Sequence, residues 1–510
     1  MSKAILILST SILLFVRSLY CLYRLQGYDY HAVFKAKSLV FNLFVAFLCS
    51  SVALPMEYLW GVGCWGYLGV ALLISILLIL GYLKKRTKFK WTKRATRVSL
   101  AYYGISLALV LCCGILFSQP FDIIALILVT LFSEILLFAI NGVIAPFERA
   151  KNLGFSYRST EVLRKNNLIK IVITGSFGKT TCKNVLTALL SEKYKVIATI
   201  GNYNTPIGLA KSVLDIPPAG FSESEKPLIF IAEAGARRMG DVDRICRLVV
   251  PTYGIITGVC AQHLDTFRSV ERVKRAKQEL ANFIGENGTV IFNGDNPHTL
   301  EMSKEFKGKP IVVGTSSGNA VVRNLRVSIL GTFFELCVNG EVIPLKTSLL
   351  GRHNAINIAL CVALALELGV SKESIINVVS ALKATPHRLE VIKSGGITIL
   401  DDSYNANLIG VMEGLKIVAT HVGRRVVYAQ GVVECGIKKG EINRAIGREI
   451  GKIADVVMLS GENTKQMERG LREGAFSGKI YKFPTIMHAQ DAFKNILKQG
   501  DILYIQNDIP

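Results

Sequence analysis

The sequence has no C-x-x-C pair and no group of histidines and cysteines at the spacing of a zinc site, although it contains 11 cysteines. A zinc finger or a dithiol redox centre is therefore not expected. The cysteines are scattered singly among apolar residues, which is typical of free thiols in a reducing compartment or a bilayer. The sequence also lacks internal repeats and low-complexity tracts.

Negative charge is scarce in this chain. There are 38 Asp and Glu residues against 60 Lys and Arg residues, which gives a formal net charge of +22. The basic residues concentrate beside apolar stretches, as in KKRTKFKWTKR at 84–94. This placement favours membrane topology and anionic lipid over nucleic acid as the reason for the charge, so no nucleic-acid partner is expected.

Apolar residues dominate the chain before residue 147. Several of the stretches there approach the ~20 residues that cross a bilayer. There are five of them, roughly at 4–23, 38–54, 60–83, 98–118 and 121–146. The first has no A-x-A-like cleavage site after it, and the basic loops orient the others. Residues 1–150 are thus predicted to form a multi-pass region of the cell (plasma) membrane, with membrane lipid as a partner and all later residues cytoplasmic.

Short β-branched runs alternate with helical segments from residue 168 onwards. LIKIVITG, KPLIFIAEAG, YGIITGV and GTVIFNGD read as buried strands, and similar runs begin again near residue 384. Such alternation predicts parallel sheets whose ligands gather at the carboxyl ends of the strands. The predicted fold is an α-helical membrane region followed by α/β domains: a central P-loop domain over 151–383 and a smaller Rossmann-like domain over 384–510.

The segment TGSFGKTTCKNVLTALL at 174–190 follows a predicted strand and opens a helix. Gly178, Lys179 and Thr180 fit the end of a Walker loop, G-x-x-x-x-G-K-[ST]. The position of its first glycine is held by Ile173, and a glycine appears two residues later at Gly175. In this context Lys179 would neutralise phosphate charge and Thr180 would hold Mg²⁺. The alternative is a chance GKTT in a strand–turn–helix.

Charged side chains follow other predicted strands of the central domain. Glu233 ends the run IFIAEAG, and a carboxylate buried there requires a cation or a hydrogen-bond donor. It is interpreted either as a Mg²⁺ ligand or as a helix-capping acid. His263 and Lys277 lie further along the chain. Taken alone, the first is typical of a loop or core histidine, and the second of a solvated helix face.

Polar residues also mark two later segments. Asn354 and Asn357 lie at the start of an Ala/Leu-rich helix. Asn354 could cap this helix, or the asparagines could contact an adenine or a ribose. Asp401 and Asp402 end a strand of the second domain, and adjacent carboxylates repel each other unless a cation or a donor is near. The asparagines that follow are typical of a tight turn, which does not account for the paired acids.

These motifs occur in a fixed order: T-G-S-x-G-K-T-T, E-x-G, H-L-D-x-F, A-K-x-E, G-R-H-N-x-x-N, R-L-E-V-I and D-D-S-Y-N-A-N. With GNYNTPIG, they resemble the Mur ligase family, most closely its MurF type, over about residues 165–505. In this family the first glycine of the loop occurs at the position of Gly175, so Ile173 does not argue against the resemblance.

The resemblance implies an ATP-dependent ligase. A carboxylate would attack the γ-phosphate of ATP to give an acyl phosphate, and an amine would then displace phosphate. The expected carboxylate belongs to a peptidoglycan precursor or a related cell-envelope acid, and the expected amine to an amino acid or a dipeptide. The expected cofactors are ATP, two Mg²⁺ ions and a carbamylated lysine.

The resemblance also assigns residues, position by position. The expected catalytic residues are Lys179, His263 and Lys277, of which Lys277 matches the carbamylated lysine. The expected nucleotide-binding residues are Gly175, Ser176, Gly178, Lys179, Thr180, Thr181, Asn357, Arg388 and Asp402. The expected metal ligands are Thr180, Glu233, His263 and Lys277. The expected substrate-binding residues are Asn204, Thr205, Tyr404, Asn405 and Asn407.

The sequence also departs from the family pattern. The N-terminal domain that grips the UDP-sugar in soluble members has no recognisable counterpart. The usual K-G-S near the end is replaced by a segment with Gln506 and Asn507, and a frequent histidine appears as Asn443. Alternatives are therefore a membrane-bound nucleotide-binding scaffold, or a ligase for a non-peptidoglycan polymer. A transporter coupling domain would need ABC-type signatures, which the sequence lacks.

Overall fold

The computed structural model describes residues 93–116, 121–166, 168–199, 203–217, 226–261, 264–384, 386–403, 408–432 and 439–506. The chain divides into two compact units, Met1–Leu153 and Gly154–Pro510. The predicted boundaries at residues 150 and 383 stay predictions.

The described part of the first unit is helical. It contains α1 (Lys93–Leu116) and the beginning of α2 (Phe121–Lys165), a helix that runs on into the second unit. Val98, Tyr102 and Ile140 form a small buried cluster. The first three predicted membrane stretches lie outside the described residues.

The predicted multi-pass location in the plasma membrane needs correction. Within the described ranges, only the window Thr96–Cys113 of α1 is long and apolar enough to cross a membrane. One such helix does not support several crossings, and the core helix of a globular domain passes the same test of length and composition. A multi-pass protein with cytoplasmic ligase domains is thus the wrong reading. The predicted lipid partner rested on the same spans and loses that support.

The second unit contains two sheets, and the helices between their strands cover the faces. The first half holds β1 (Leu168–Thr174), α3 (Lys179–Ser191), β2 (Lys195–Ala198), α4 (Pro206–Leu214), β3 (Leu228–Ala234), α5 (Asp241–Val249), β4 (Tyr253–Ile256), α6 (Leu264–Phe267), α7 (Val270–Ile284), β5 (Thr289–Asn293), α8 (Pro297–Glu305), β6 (Lys309–Gly314), β7 (Ala320–Ser328), β8 (Gly331–Val338) and β9 (Glu341–Thr347).

The second half begins with two helices and continues into the second sheet. It holds α9 (Arg352–Glu367), α10 (Lys372–Ala381), β10 (Glu390–Ser394), β11 (Ile397–Asp402), α11 (Leu408–Ala419), β12 (Arg425–Ala429), α12 (Lys439–Ile453), β13 (Val456–Ser460), α13 (Thr464–Glu473), β14 (Lys479–Phe483), α14 (Ile486–Ile496) and β15 (Ile502–Gln506).

The central sheet has the strand order β2-β3-β1-β4-β5-β6-β7-β8-β9. Its strands run parallel as far as β7, which confirms the predicted α/β organisation of this region. Alternate residues of β1 point to opposite faces. Ile171 and Ile173 therefore pack with α3 and α9, and Val172 packs with α5 and α7.

The antiparallel extension β7–β9 was not predicted from the sequence. Its strands alternate exposed and buried residues, because helices cover only one of its faces. This pattern carries a weaker hydrophobic signal than the fully buried strands of the parallel core. Val327 and Ile329, at the tip of its first hairpin, pack against the core of the C-terminal domain.

The C-terminal sheet has the order β10-β11-β15-β12-β13-β14, in which only β10 is antiparallel to its neighbour. Helices α11, α12 and α13 cover one face and α14 the other. The strand-like runs that the sequence indicates after residue 384 correspond to β11, β12, β13 and β15: they are ITILDDSY, RRVVYAQGVVE, ADVVMLSG and GDILYIQ. This domain is therefore the predicted smaller α/β domain.

The helix pair α12 and α13 yields the first prediction. A Cβ atom on Gly470 would lie 2.0 Å from the carbonyl oxygen of Arg444, so the two backbones leave no room for a side chain. Gly470→Ala should destabilise the C-terminal domain by about 1–3 kcal/mol through overpacking, as a lower denaturation midpoint. The matched control is Gly440→Ala, whose nearest neighbouring side-chain atom is 3.8 Å away. Equal midpoints for the two variants would contradict this packing.

Candidate active site

The loop between β1 and α3 lies in close contact with the side chains of two neighbouring elements. Gly175 and Gly178 adopt φ angles of 151° and 76°. A Cβ atom would lie 2.0 Å from Thr257 Oγ1 at the first position and 2.5 Å from Asn357 Oδ1 at the second. Both positions therefore require glycine, for conformation and for space. The loop is fixed against the end of β4 on one side and against α9 on the other.

The start of α3 is open to an anion. Gly178 is its N-cap, and among the described residues no side chain caps it. The Ser176 N–H donates to Gly258 O at 2.8 Å, and the Ser176 hydroxyl accepts from the Cys260 N–H at 3.2 Å. The Lys179 ammonium folds back onto Gly175 O at 2.8 Å. Uncapped N–H groups at a helix start, with a lysine beside them, form a phosphate-binding arrangement.

A hydroxyl and a carboxylate meet beside this loop. Ile173 and Glu233 are paired in neighbouring strands, so the end of β3 lies next to the loop. The Thr180 hydroxyl donates to Glu233 Oε2 at 3.0 Å, and Glu233 is only 4% exposed. Oxygen atoms of this kind are the ligands that Mg²⁺ prefers. The residues present therefore fit a magnesium ion, and the capping interpretation of Glu233 is not needed.

Lys277 is buried, contrary to its interpretation as a solvated lysine. It lies on α7 with 3% of its surface exposed. Burial lowers its pKa to about 7, and the neighbouring Lys179 charge acts in the same direction. The pKa of Lys179 is lowered as well, mainly by burial and further by Arg388, although Glu233 opposes the shift. The site thus holds two lysines whose charged forms are disfavoured.

Two acids that the sequence analysis did not assign hold the loop after β3. Glu279, two residues after Lys277, accepts hydrogen bonds from the N–H groups of Gly240 at 2.7 Å and Asp243 at 3.0 Å. Asp241 accepts from the N–H groups of Arg237 and Arg238. Glu279 belongs to the A-K-x-E motif, and its spacing from Lys277 was the available signal.

The segment before α4 lies against the same strand end. Asn204 O accepts from the Gly235 N–H at 2.8 Å, and Thr205 caps α4 through the Gly208 N–H at 3.2 Å. This brings the two predicted substrate-binding residues next to Glu233. Four further predicted site residues lie outside the described residues: His263, Tyr404, Asn405 and Asn407.

Asn357, in the second turn of α9, lies against Gly178 in the loop between β1 and α3. This loop, residues 175–178, is called the phosphate loop below because it is predicted to bind phosphate. Asn357 is 1% exposed, and its Nδ2 donates to Asn354 Oδ1 at 3.4 Å. Asn354 donates to Leu350 O at 2.8 Å, so its side chain bonds backward along the chain and does not cap the helix. The structure therefore assigns Asn357 a packing role against Gly178. A contact between Asn357 and adenine stays a prediction.

The adjacent acids Asp401 and Asp402 point to different partners. Asp401 lies 2.8 Å from His387 Nδ1, and Asp402 accepts from the Tyr504 hydroxyl at 3.2 Å. Burial raises the pKa of Asp402 to about 6, while Tyr504 and Arg388 lower it and Asp401 adds to the rise. Each acid therefore has its own hydrogen-bond partner, which accounts for the two adjacent carboxylates. A tight turn at the following asparagines would not account for them.

Two of the departures from the family pattern, Gln506 and Asn443, are buried structural amides, whereas Asn507 lies outside the described residues. Gln506 accepts from the Gly431 N–H at 2.9 Å and donates to Gly431 O at 3.1 Å. Asn443 pairs with Val432 in the same two-way manner, at 2.8 Å for each bond. Both side chains hold the backbone after β12, where a charged or ring side chain could not make the same paired bonds.

Family models match most of the second unit. The Mur ligase middle domain matches residues 173–365, and the glutamate ligase domain of Mur ligases matches residues 387–506. The chain belongs to the Mur ligase family. The predicted resemblance is confirmed, and the protein is an ATP-dependent ligase of the carboxylate–amine class.

The curated relatives point to one branch of the family. The chain is 30% identical over 343 residues to the UDP-N-acetylmuramoyl-tripeptide–D-alanyl-D-alanine ligase of Bacillus subtilis. The matched region covers 65% of this chain and 71% of that protein. It is 29% identical over 288 residues to the Escherichia coli ligase of the same name, covering 54% of this chain and 62% of that protein.

Solved structures show the same fold. MurF from Acinetobacter baumannii superposes with a TM-score of 0.63 at 22% identity, over 70% of this chain and 78% of that one. The MurF ligase from Thermotoga maritima in complex with ADP gives a TM-score of 0.61 at 22% identity, over 70% and 80%. At this identity, the likeness establishes the fold alone.

The burial of Lys277 predicts a pH-dependent stability. The pKa of Lys277 is about 7 in the folded chain against the usual 10.5, so the unfolded chain binds more protons between these values. Stability therefore rises with pH across this window. Relative to Lys277→Met, the wild type should gain roughly 2 kcal/mol of unfolding free energy between pH 7 and pH 9.

This test uses chemical denaturation in CO₂-free buffer, so that the amine stays unmodified. Gln278→Met, on the same helix, is the control for a new methionine that replaces no titrating group. A difference between wild type and Lys277→Met that stays constant with pH would contradict the lowered pKa.

Proposed function

We propose that this chain is a MurF-type ligase of peptidoglycan synthesis, which joins a UDP-N-acetylmuramoyl-tripeptide to D-alanyl-D-alanine at the expense of ATP. The relatives carry that name. The observation that carries the proposal is the meeting of three groups at one sheet edge: the open phosphate loop, the Thr180–Glu233 pair and the buried Lys277.

ATP is proposed to bind at the loop between β1 and α3. The N–H groups from Gly175 to Thr181, with the Ser176 hydroxyl, would surround its phosphates, and Lys179 would leave Gly175 O to neutralise the γ-phosphate. Asn357 would contact the adenine. Arg388 and Asp402 would reach the nucleotide from the C-terminal domain, and the effect of the Arg388 charge on the pKa of Lys179 supports their closeness.

Two Mg²⁺ ions are proposed beside the phosphates, where they would offset negative charge and polarise the γ-phosphoryl group. Thr180 and Glu233 would hold the first ion. Lys277, as a carbamate, would hold the second together with His263. The carbamate forms when the neutral amine attacks CO₂, a new N–C bond closes and one proton is released. A lysine with a pKa of about 7 is suited to this step, because a large share of it is neutral near pH 7.

The ligation then follows in two displacements. A carboxylate oxygen of the tripeptide attacks the γ-phosphorus, and the bond to the leaving ADP breaks. The amine of the dipeptide attacks the acyl carbon, phosphate leaves and the nitrogen loses a proton. Lys179 stabilises charge that develops on the transferred oxygens. Asn204 and Thr205, beside Glu233, are proposed to orient the substrates, together with Tyr404, Asn405 and Asn407.

The direct test is a ligation assay with the purified full chain. Mass spectrometry would follow ATP, UDP-N-acetylmuramoyl-tripeptide and D-alanyl-D-alanine, with single amino acids as alternative amines. The proposal predicts a dipeptide-extended product and one ADP for each product. ATP hydrolysis without a ligated product, or ligation of single amino acids alone, would contradict it.

Lys179→Ala should lower the ligation rate at least ~100-fold, because its charge is expected to act on the transferred phosphoryl group in the transition state. Lys193→Ala is the control, since this exposed lysine follows the other end of α3 and lies over the Tyr194 ring. Product formation at the wild-type rate in Lys179→Ala would exclude the loop as the ATP site.

Lys277→Ala should be nearly inactive and should regain part of its activity with added short carboxylates, which can replace the carbamate anion. Lys274→Ala is matched to it, because Lys274 is also buried on α7 but is paired with Glu301 at 2.8 Å. The control should keep its activity and show no response to the carboxylates. Full activity of Lys277→Ala without addition would refute the metal-binding role.

A further inference from the structure

We infer that Glu413 is a positioning residue for the ligation: it docks the C-terminal domain onto the start of α9 and thereby keeps Arg388 and Asp402 at the phosphate loop. The expected effect of Glu413 on the ligation rate rests on the proposed function. The contacts that support it are independent of the substrates.

Glu413 is nearly buried, and both of its carboxylate oxygens accept hydrogen bonds. It lies on α11 of the C-terminal domain, with 9% of its surface exposed. Its Oε2 accepts from the backbone N–H of Arg352 at 2.9 Å, and its Oε1 accepts from the Lys416 ammonium at 2.7 Å. A carboxylate at this depth is stable only with such donors. Although burial raises its pKa, these donors hold the pKa below its usual value.

The helix that receives Glu413 has no cap of its own. Gly351 is the N-cap of α9, and no side chain from the described part of its own segment bonds there. Gly351 has a φ angle of 99°, and a Cβ atom on it would lie 2.8 Å from the His353 ring and 3.7 Å from Glu413 Cβ. Glu413 thus supplies from another domain the negative charge and the acceptor that a helix start favours.

The docking point is hydrogen-bonded to the central domain and lies close to the proposed nucleotide site. The Arg352 side chain donates to Thr315 Oγ1 at 2.8 Å, which fixes the start of α9 to the segment after β6. Asn357, which lies against Gly178, follows five residues later on α9. Five helical residues span about 7.5 Å, so the docking contact lies within two turns of the phosphate loop.

Apolar packing surrounds the contact. Leu350 belongs to the same buried cluster as Leu389, Val411 and Leu415 of the C-terminal domain. Apolar contacts give adhesion but little direction, whereas a buried carboxylate must meet its donor or lose stability. Glu413 therefore fixes the angle at which the C-terminal domain sits. That angle determines whether Arg388, just before β10, stays near Lys179.

The test compares Glu413→Ala and Glu413→Gln with wild type in the full chain. Lys416→Ala is the matched control, because it removes the partner of Oε1 and leaves the bond to Arg352. Three quantities are measured: kcat and KM for ATP in the ligation assay, the dissociation constant of MgADP, and the distance distribution between spin labels on non-canonical residues at positions 307 and 494. Circular dichroism verifies that each variant is folded.

Glu413→Ala should lower kcat roughly tenfold, the effect of losing one hydrogen bond to a charged group. The affinity for MgADP should change less than kcat, because the loop residues of the central domain are intact, and the label distances should broaden. Glu413→Gln should lie between Ala and wild type, since its amide oxygen can still accept from Arg352. Lys416→Ala should stay within about twofold of wild type, because the Lys416 side chain is 71% exposed and Glu413 keeps its bond to Arg352.

The outcomes separate this inference from the proposed function. Unchanged kcat and unchanged label distances in folded Glu413→Ala overturn the docking role. If the wild type forms no ligated product, the proposed function fails, and the label distances still decide whether Glu413 docks the domain. A drop in kcat for Glu413→Ala with wild-type distances also overturns the inference, because Glu413 would then act by another route.

Discussion

The central constraint on this molecule is the closeness of two lysines, Lys179 and the buried Lys277, at the edge of the central sheet. Lys179 and Lys277 approach each other from different helices, and both have lowered pKa values. The nearly buried Glu233 offsets part of the Lys179 charge, and Asp241 and Glu279 offset part of the Lys277 charge. The repulsion between two lysine charges destabilises this arrangement unless an anionic ligand, the loss of a proton or a chemical change of one lysine reduces it. ATP phosphates and a carbamate on Lys277 would provide two of these.

The scaffold holds this arrangement by contacts between distant segments. Gly175 and Gly178 bring the loop against β4 and α9, and Glu279 fixes the loop after β3. Two amides at and after the carboxyl end of β5 act similarly: Asn293 donates to Thr257 O at 2.8 Å, and Asn296 donates to Val259 O at 2.9 Å. The site is therefore assembled at the carboxyl ends of β1, β3, β4 and β5, the usual ligand edge of a parallel sheet.

The features of the fold that depend on local residue pattern could be predicted from the sequence. Buried strands followed by helices indicated both α/β domains, and the motif from Thr174 to Thr181 indicated the loop. Lys277 could not be understood from local pattern, because its burial depends on helix packing against α5 and β4. The same holds for Glu413, whose donor Arg352 lies 61 residues away. The multi-pass membrane prediction rested on hydropathy, which measures composition and does not by itself establish that a helix crosses a membrane.

The proposed chemistry depends most on whether Lys277 carries a carbamate. The most direct measurement is a ¹³C NMR spectrum of the full chain in ¹³C-bicarbonate at about pH 8, where the amine is mostly neutral. We expect a carbamate carbon signal in the wild type that is lost in Lys277→Ala and kept in Lys274→Ala. A wild-type spectrum without that signal, or a signal that persists in Lys277→Ala, would contradict the carbamate on Lys277.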